Sequence, residues 1–349
     1  MKQAWTLALL VVGLAVLAVF PFVSPNQAVT TVAIYTLLFA IAAMAWNLFS
    51  GYTGYISLGH AAYAGIGSYA LAIMCQDWNI AGGYTPFLLV PVAGLIAGVF
   101  ALPLGWIAMR VRQHAFVVVT LAIFNVFQLL AFNLEPITNG SAGMFLPNPP
   151  WGAYFFNIPF YYAASILLLV TLLISWWIRH SKFGLGLLAI RDDEDRAAGL
   201  GVKTGAFKLS AYLISAVIVG MAGALTVYFV GTVYPEYAFD PSYDVTLIVM
   251  VYLGGSATIP GPLLGALLLE PARNFLDLQF NNPYLDLVIF GGLFLMIILF
   301  LPEGVISGLR KWWEGRIAVQ KSTLLSPPDL PDAGSQPSAV LADSREKSG

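Results

Sequence analysis

Seven apolar runs, at 4–23, 28–49, 55–75, 87–109, 114–134, 158–178 and 206–230, constrain this chain more than any other feature. Each approaches the roughly 20 residues that a helix needs to cross a ~30 Å hydrocarbon core. A broken apolar region at 245–269 and a final run at 285–301 follow them. Only 10% of the 349 residues are charged and the mean hydropathy is +0.80. A water-soluble domain carries about a quarter charged residues. The expected fold is therefore all-α, a polytopic transmembrane helical bundle of about 8–10 spans. The run "AWTLALLVVGLAVLAVFPFV" is too long for a signal h-region and no small-x-small cleavage site follows it, so it reads as a retained first span. A net charge of −2 argues against nucleic acid as a partner. The one cysteine, Cys75, cannot form an internal disulfide and is expected to be a small buried hydrophobe.

Lysine and arginine set the expected orientation, because cytoplasmic loops are enriched in them. With the N-terminus inside, near Lys2, the residues Arg110, Arg112, Arg179, Lys182, Arg191, Arg196, Lys203 and Lys208 also fall inside. The intervening loops at 24–27, 76–86, 135–157 and 231–244 hold no Lys or Arg. Arg310, Lys311 and Arg316 fall inside only if 245–269 leaves and re-enters on one side, as a hairpin or discontinuous element. Its sequence "YLGGSATIPGPLLGALLLE" agrees, placing Gly254, Gly255, Pro260, Gly261, Pro262 and Gly265 where a straight helix wants none. Then 15 of the 16 basic residues lie inside, with Arg273 as the exception. Both termini are expected to be cytoplasmic. Residues 1–310 read as the membrane domain and 311–349 as a cytoplasmic tail, its end rich in Pro, Ser, Ala and Asp and expected to be disordered.

One unbroken charged row, Arg191, Asp192, Asp193, Glu194, Asp195 and Arg196, lies in the long cytoplasmic loop 179–205. The acids suit the first turn of a short helix, where the macrodipole favours anions. Gly199 and Gly201 suit its end. On helical spacing Ile190, Glu194, Ala197 and Gly201 share a stripe, small enough for close approach and carrying one acid. Such a helix reads either as a handle for a soluble partner or as a solvated anchor of topology.

Two segments are too rich in glycine for plain spans. In "NLFSGYTGYISLGHAAYAGIGSYALAIM" (47–74), Gly51, Gly54, Gly59, Gly65 and Gly67 crowd together. The second is 245–269, again with a Gly-rich start and a Ser (Ser57 in the first, Ser256 in the second). Irregular backbone at membrane depth survives where protein or a wet cavity satisfies it. Paired interrupted segments in the two halves of a chain point to a midplane substrate path, while close glycine-mediated helix packing explains the same composition. The candidate path residues are Asn47, Gly51, Gly54, Ser57, Gly59, His60, Gly254 and Gly255. His60 is the one ionisable group of the first segment, either a substrate ligand or proton carrier, or a neutral histidine bonded to a nearby carbonyl.

No phosphate-binding Gly-x-x-x-x-Gly-Lys-Ser/Thr is present, since "GVKTG" lacks the spacing. No His/Cys cluster suggests a metal and no nucleophile–base spacing suggests a hydrolase. Acids are nearly absent from the predicted spans, with Glu270 and Asp286 near their ends. An ion-coupled secondary carrier needs a buried coupling-ion site and a membrane enzyme a polar catalytic cluster. Neither is evident, so the expected driving energy comes from another protein.

The blocks "NLFSGYTGYISLGHAAYAGIGSYA", "FGLGLLAIRDDEDRAAGLGV" and "YLGGSATIPGPLLGALL", in that order, resemble the permease subunits of LIV-type ABC importers, the high-affinity branched-chain amino acid transporters of bacteria. The resemblance spans roughly residues 28–310, and the extra N-terminal span with "AIRDDEDRAAGLGV" is more similar to the M-type than the H-type subunit. It implies a non-catalytic, cofactor-free, multi-pass subunit of the bacterial inner membrane. It also implies an H-type paralogue, two ATP-hydrolysing subunits and an extracytoplasmic substrate-binding protein as partners. Carried over by position, Arg191, Asp192, Asp193, Glu194, Ala197, Ala198 and Gly199 would form the coupling helix that docks on the ATPase. Of the Glu-Ala-Ala…Gly…Ile-x-Leu-Pro pattern of many importers, the chain keeps only the small core Ala197-Ala198-Gly199. Urea or short amides, which use permeases of the same family, are the nearest alternative substrates, and aromatic amino acids stay open as well.

Overall fold

A computed structural model of the chain describes residues 26–152 and 155–280, together with 17, 19–23, 292 and 296. These belong to one unit, Met1–Gly308; a second, Leu309–Gly349, lies outside the described residues. So do most of the first predicted span and nearly all of the last.

Among the described residues, ten helices of six or more residues from Gln27 onward carry the fold. They are α1 (Gln27–Trp46), α2 (His60–Asp77), α3 (Thr85–Ala108), α4 (Gln113–Asn133), α5 (Asn157–Arg179), α6 (Lys182–Asp192), α7 (Glu194–Gly199), α8 (Thr204–Val230), α9 (Pro241–Gly254) and α10 (Pro260–Phe280). The all-α expectation holds. Among the described residues five helices are long and apolar enough to cross a membrane: α1 with its extension to Gly51, α3, α4, α5 and α8. The bundle has two ends. At one, the basic loops meet, with Arg112 on Asp195 at 3.0 Å. At the other, loops free of Lys and Arg gather: strand β1 (Met144–Phe145) pairs antiparallel with β2 (Thr232–Val233), and the Tyr228 hydroxyl donates to the Gly83 carbonyl. The charge pattern sorted these loops correctly.

Helices α2, α3 and α8 pack through small residues. A Cβ on Gly67 would lie 2.1 Å from the Gly220 carbonyl oxygen, and one on Gly223 would lie 2.2 Å from that of Ala64. Van der Waals contact and interhelical hydrogen bonds, rather than hydrophobic burial, hold helices together in lipid. The Ser68 hydroxyl supplies one such bond, reaching the carbonyls of both Ala64 and Gly223 at 2.9 Å. Gly65 makes room for the Phe239 ring and Gly67 for α8, so both glycines serve close packing.

The predicted span 55–75 starts later than its hydropathy suggests. Helix α1 loosens into a π-turn at Asn47–Gly51, stays helical to Thr53, and an irregular segment follows from Gly54 to Gly59. Gly54 sits at φ +75°, a turn that a β-carbon would strain. Helix α2 then begins beside Ser215, eleven residues into α8, or roughly 16 Å along it at 1.5 Å per residue. Its N-terminus thus lies near the middle of the bundle. The second break is a hairpin, as expected, but it starts four residues earlier: α9 runs to Gly254, turns at 255–259 with Gly255 at φ +118°, and returns as α10.

Candidate functional site

A helix that begins inside a membrane protein leaves up to four backbone N–H groups unpaired. Here the carboxylate of Asp244, from the first turns of α9 and 2% exposed, accepts from the Ala61 N–H with both oxygens at 3.2 and 3.3 Å. The favourable end of the α2 dipole meets a buried acid. The first break is thereby tied to the element that carries the second.

Two further contacts join the breaks. The Asn47 side chain donates to the Thr258 carbonyl at 2.9 Å and accepts from the Ala257 N–H at 2.8 Å, bridging the π-turn to the tip of the hairpin. Gly51 makes this possible: a Cβ there would sit 2.0 Å from the Asn47 Oδ1. Gly254 allows the hairpin legs to touch, since its Cβ would lie 1.7 Å from the Gly261 carbonyl oxygen. Gly59 is held against Thr120 of α4.

His60 is fully buried in a closed chain of donors and acceptors. The Ser215 hydroxyl donates its one hydrogen to the Ala45 carbonyl at 2.6 Å, so it must accept from the His60 Nε2–H at 2.7 Å. Nδ1 then accepts from the Ser57 hydroxyl at 3.1 Å. Both ring nitrogens are used in this arrangement. It ties α1, α2 and α8 together, through two serine hydroxyls rather than the carbonyl that the structural reading expected.

The charged row forms two helices. Of the four acids expected in the first turn of one helix, only Glu194 and Asp195 lie there: Asp192 ends α6, and Asp193 caps α7, accepting from the Arg196 N–H at 3.0 Å. The stripe expected to meet a partner turns the other way, because Ile190 and Ala197 are 3% and 2% exposed and pack inward. Glu194 also points in. Its carboxylate accepts from Lys208 Nζ at 2.6 Å and from the Tyr55 hydroxyl, and Lys208 donates to Tyr55 at 3.1 Å. Arg191 reaches the Gly51 carbonyl at 3.0 Å and lies against Gly54. The face that α7 presents outward consists of Asp195, Arg196, Ala198, Gly199 and then Leu200, which is 86% exposed. Asp192 is exposed on the neighbouring end of α6. So the loop is fastened to the first break on one side and open on the other.

Tyr55, Lys208, Ser215 and Asp244 were not singled out from sequence. Lys208 was legible: a cation at the third position of the apolar run 206–230 is an ionisable residue at a span end. Asp244 was legible too, since "DPSYD" places Asp240 at an N-cap and Pro241 at the first helical position, moving the helix start ahead of Asp244. A cavity of about 620 Å³ opens at the end away from α7, and none of the eight candidate path residues lines it.

Membrane-crossing helices, two linked breaks and a small exposed helix fastened to them define a polytopic permease. The chain belongs to the branched-chain amino acid transport system permease component family, whose profile matches residues 28–298. It is similar to the high-affinity branched-chain amino acid transport system permease protein LivM of Escherichia coli K12, at 27% identity over 86% of this chain and 75% of the relative. The LivM of Salmonella typhimurium is 26% identical over 88% and 76%. The LivH permease protein of Salmonella typhimurium is 25% identical over 77% of this chain and 91% of its own. No solved structure matches the chain.

Burial on its own raises the Glu194 carboxyl, but the hydrogen bonds from Lys208 and Tyr55 outweigh it and hold the group below its ordinary 4.5. A lowered carboxylate stabilises the fold above its ordinary value, and that stability is lost as pH falls through the lowered one. The tether is therefore charged throughout the neutral range. Its two partners differ: the Lys208 side chain is 3% exposed and that of Glu194 21%. Stranding a buried charge costs on the order of 3–5 kcal/mol, less where water reaches it. Glu194→Gln should lower the Tm of the detergent-solubilised protein by several degrees at pH 7, and Lys208→Met by less. The gap between Glu194→Gln and the parent should close in acid, below the ordinary carboxylate range. Equal losses for the two variants, or a gap insensitive to acid, would contradict the assignment.

Proposed function

We propose that this chain is the membrane-spanning permease subunit of an ATP-driven importer for branched-chain amino acids, M-type in character. The observation that carries the reading is the joint one: family membership over most of the chain, and a short helix whose outward face is open while its inward face grips the break in the bundle. No observation favours a urea or short-amide permease or an ion-coupled carrier.

In this reading the translocation path forms between this chain and an H-type paralogue. Two ATPase subunits dock at the basic end, and an extracytoplasmic binding protein delivers substrate at the other. Closure of the ATPase pair moves α7 as a rigid body, and α7 carries Gly51–Tyr55 with it through Arg191 and Glu194. The candidate path residues then act by shaping the break rather than by touching substrate in the arrangement seen here. Asn47 and Gly51 join it to the hairpin, Gly54 turns it, and Ser57 and His60 fix its far end. ATP hydrolysis belongs to the partner subunits, and this chain supplies no chemistry on the substrate.

Contact with the ATPase falls to Ala198, Gly199 and Leu200, with Asp192, Asp195 and Arg196 at the edge. A Cβ on Gly199 meets nothing within 4 Å in this chain, so a large side chain there leaves the fold intact and obstructs only a partner. In proteoliposomes holding all partner subunits, the parent complex should take up leucine only with ATP inside. Ala198→Trp or Gly199→Trp should abolish uptake or release the ATPase on co-purification. Overpacking a close groove costs roughly 1–3 kcal/mol or more. Asp193→Asn should be mild, because asparagine caps a helix as well as aspartate. Normal coupling in both tryptophan variants would remove α7 as the handle, and absence of ATP-dependent leucine uptake by the parent would overturn the function.

Both termini are cytoplasmic in this reading, from the asymmetry of Lys and Arg. A reporter active only outside the cytoplasm should be silent after Arg316 and active at Gly140. A signal after Arg316 would invert the arrangement.

A further inference from the structure

Three of the described spans leave a long face uncovered in this chain, and those faces differ in kind. On α3 the outward stripe includes Leu88, Leu95, Val99 and Trp106, and on α5 it is Ile166, Val170, Leu173 and Trp177. Both stripes are apolar and end on a tryptophan near the basic end, the pattern of a face that meets lipid. Helix α4 is different. Its outward stripe is Val118, Ala122, Asn125 and Leu129, whose spacing puts them on one face, and the helix holds no Trp or Tyr. Depth makes Asn125 the informative member. The Thr120 hydroxyl accepts from the Leu58 N–H at 3.1 Å, which sets Thr120 level with the approach to α2, near the middle of the bundle. Asn125 stands five residues further out, roughly 7.5 Å at 1.5 Å per residue. That is well inside the ~15 Å half-thickness of a hydrocarbon core.

The Asn125 side chain is exposed and donates one N–H to the Leu121 carbonyl of its own helix at 2.8 Å. Among the described residues its Oδ1 and its second N–H have no partner. Gln128, by contrast, turns inward and donates to the Phe239 carbonyl at 2.7 Å. Unpaired amide groups are costly in hydrocarbon, and asparagine at this depth bonds across to a neighbouring helix. We propose that the outward stripe of α4 is the seam with a second permease subunit, Ala122 letting the helices approach and Asn125 bonding to a polar group of the facing helix. The proposal rests on the importer reading above. In that reading the ATPase subunits and the binding protein lie outside the membrane, so the H-type paralogue is the partner that can meet a face at this depth. Within the chain, α10 rests on α1 and α9, whereas α4 rests on α2 and α3 and turns its other side outward.

The test uses the full transporter in lipid nanodiscs, with Cys75→Ala removing the one native cysteine of this chain. A single new cysteine then carries a benzophenone maleimide: Leu129→Cys at the edge of the α4 stripe, or Val99→Cys on α3 and Ile166→Cys on α5 as comparisons. Illumination should join Leu129→Cys to the H-type subunit, identified by mass spectrometry, and the other two to lipid alone. Asn125→Leu should cut co-purification of that subunit several-fold, and Asn125→Gln, which keeps the amide, should cut it less. A position facing lipid responds in the opposite sense, because leucine suits hydrocarbon. Lipid adducts alone from Leu129→Cys, or full co-purification with Asn125→Leu, would overturn the seam. An adduct with a second copy of this chain would overturn the choice of partner. Uptake by the parent complex tests the importer reading separately: intact ATP-dependent leucine uptake with lipid adducts alone overturns the seam and not that reading.

Discussion

Backbone that leaves a helix inside a membrane must find its hydrogen bonds within the protein, and the core of this permease is organised by that constraint. The chain breaks twice, at 47–59 and at 255–259, and each break exposes donors and acceptors that lipid cannot satisfy. The partners come from the other break or from the charged loop. Asp244 takes the start of α2, Asn47 takes the hairpin tip, and Arg191 takes the Gly51 carbonyl. An unmade bond of this kind costs about 1–3 kcal/mol, so each contact resists removal on its own. Taken together they stitch three remote pieces of sequence into one unit.

That unit explains why a charged row stands in so apolar a chain. An exposed ion pair such as Arg112–Asp195, with both side chains 74% exposed, contributes at most about 1 kcal/mol. Lys208 and Glu194 belong to a different class, because the ammonium is buried against the Tyr55 ring and needs its acid. The row thus has two faces with two tasks. Ile190, Glu194 and Ala197 attach the loop to the bundle, and the outward face, with Asp195, Arg196, Ala198 and Gly199, stays exposed. A lever needs both a fixed end and a free one.

Much of this was legible in the sequence. Apolar length located α3, α4, α5 and α8 to within two residues at either end, and lysine and arginine sorted the loops to two ends. Proline and glycine marked the hairpin before α10. Direction was not legible: helical spacing identified the stripe of Ile190, Glu194 and Ala197 but not which way it faces, since the deciding partners, Tyr55 and Lys208, lie 139 and 14 residues from Glu194. Hydropathy likewise misplaced the start of α2, because "YISLG" (55–59) is apolar enough to pass as helix while its backbone is irregular. The partners of His60 were not legible either, because Ser215 lies 155 residues away in sequence.

Through Arg191 and Glu194, the exposed helix and the first break are expected to move as one body. Spin labels at Asp195, on the outward face of α7, and at Ile56, an exposed position in the break, report on it directly, with a third at Tyr237 near the opposite end. Pulsed electron resonance on the full transporter, nucleotide-free and then trapped with ATP, gives the distances. The Asp195–Ile56 distance should stay constant between the two states while the distance from either to Tyr237 changes. An Asp195–Ile56 distance that shifts on ATP trapping while Ile56–Tyr237 stays fixed would contradict the account.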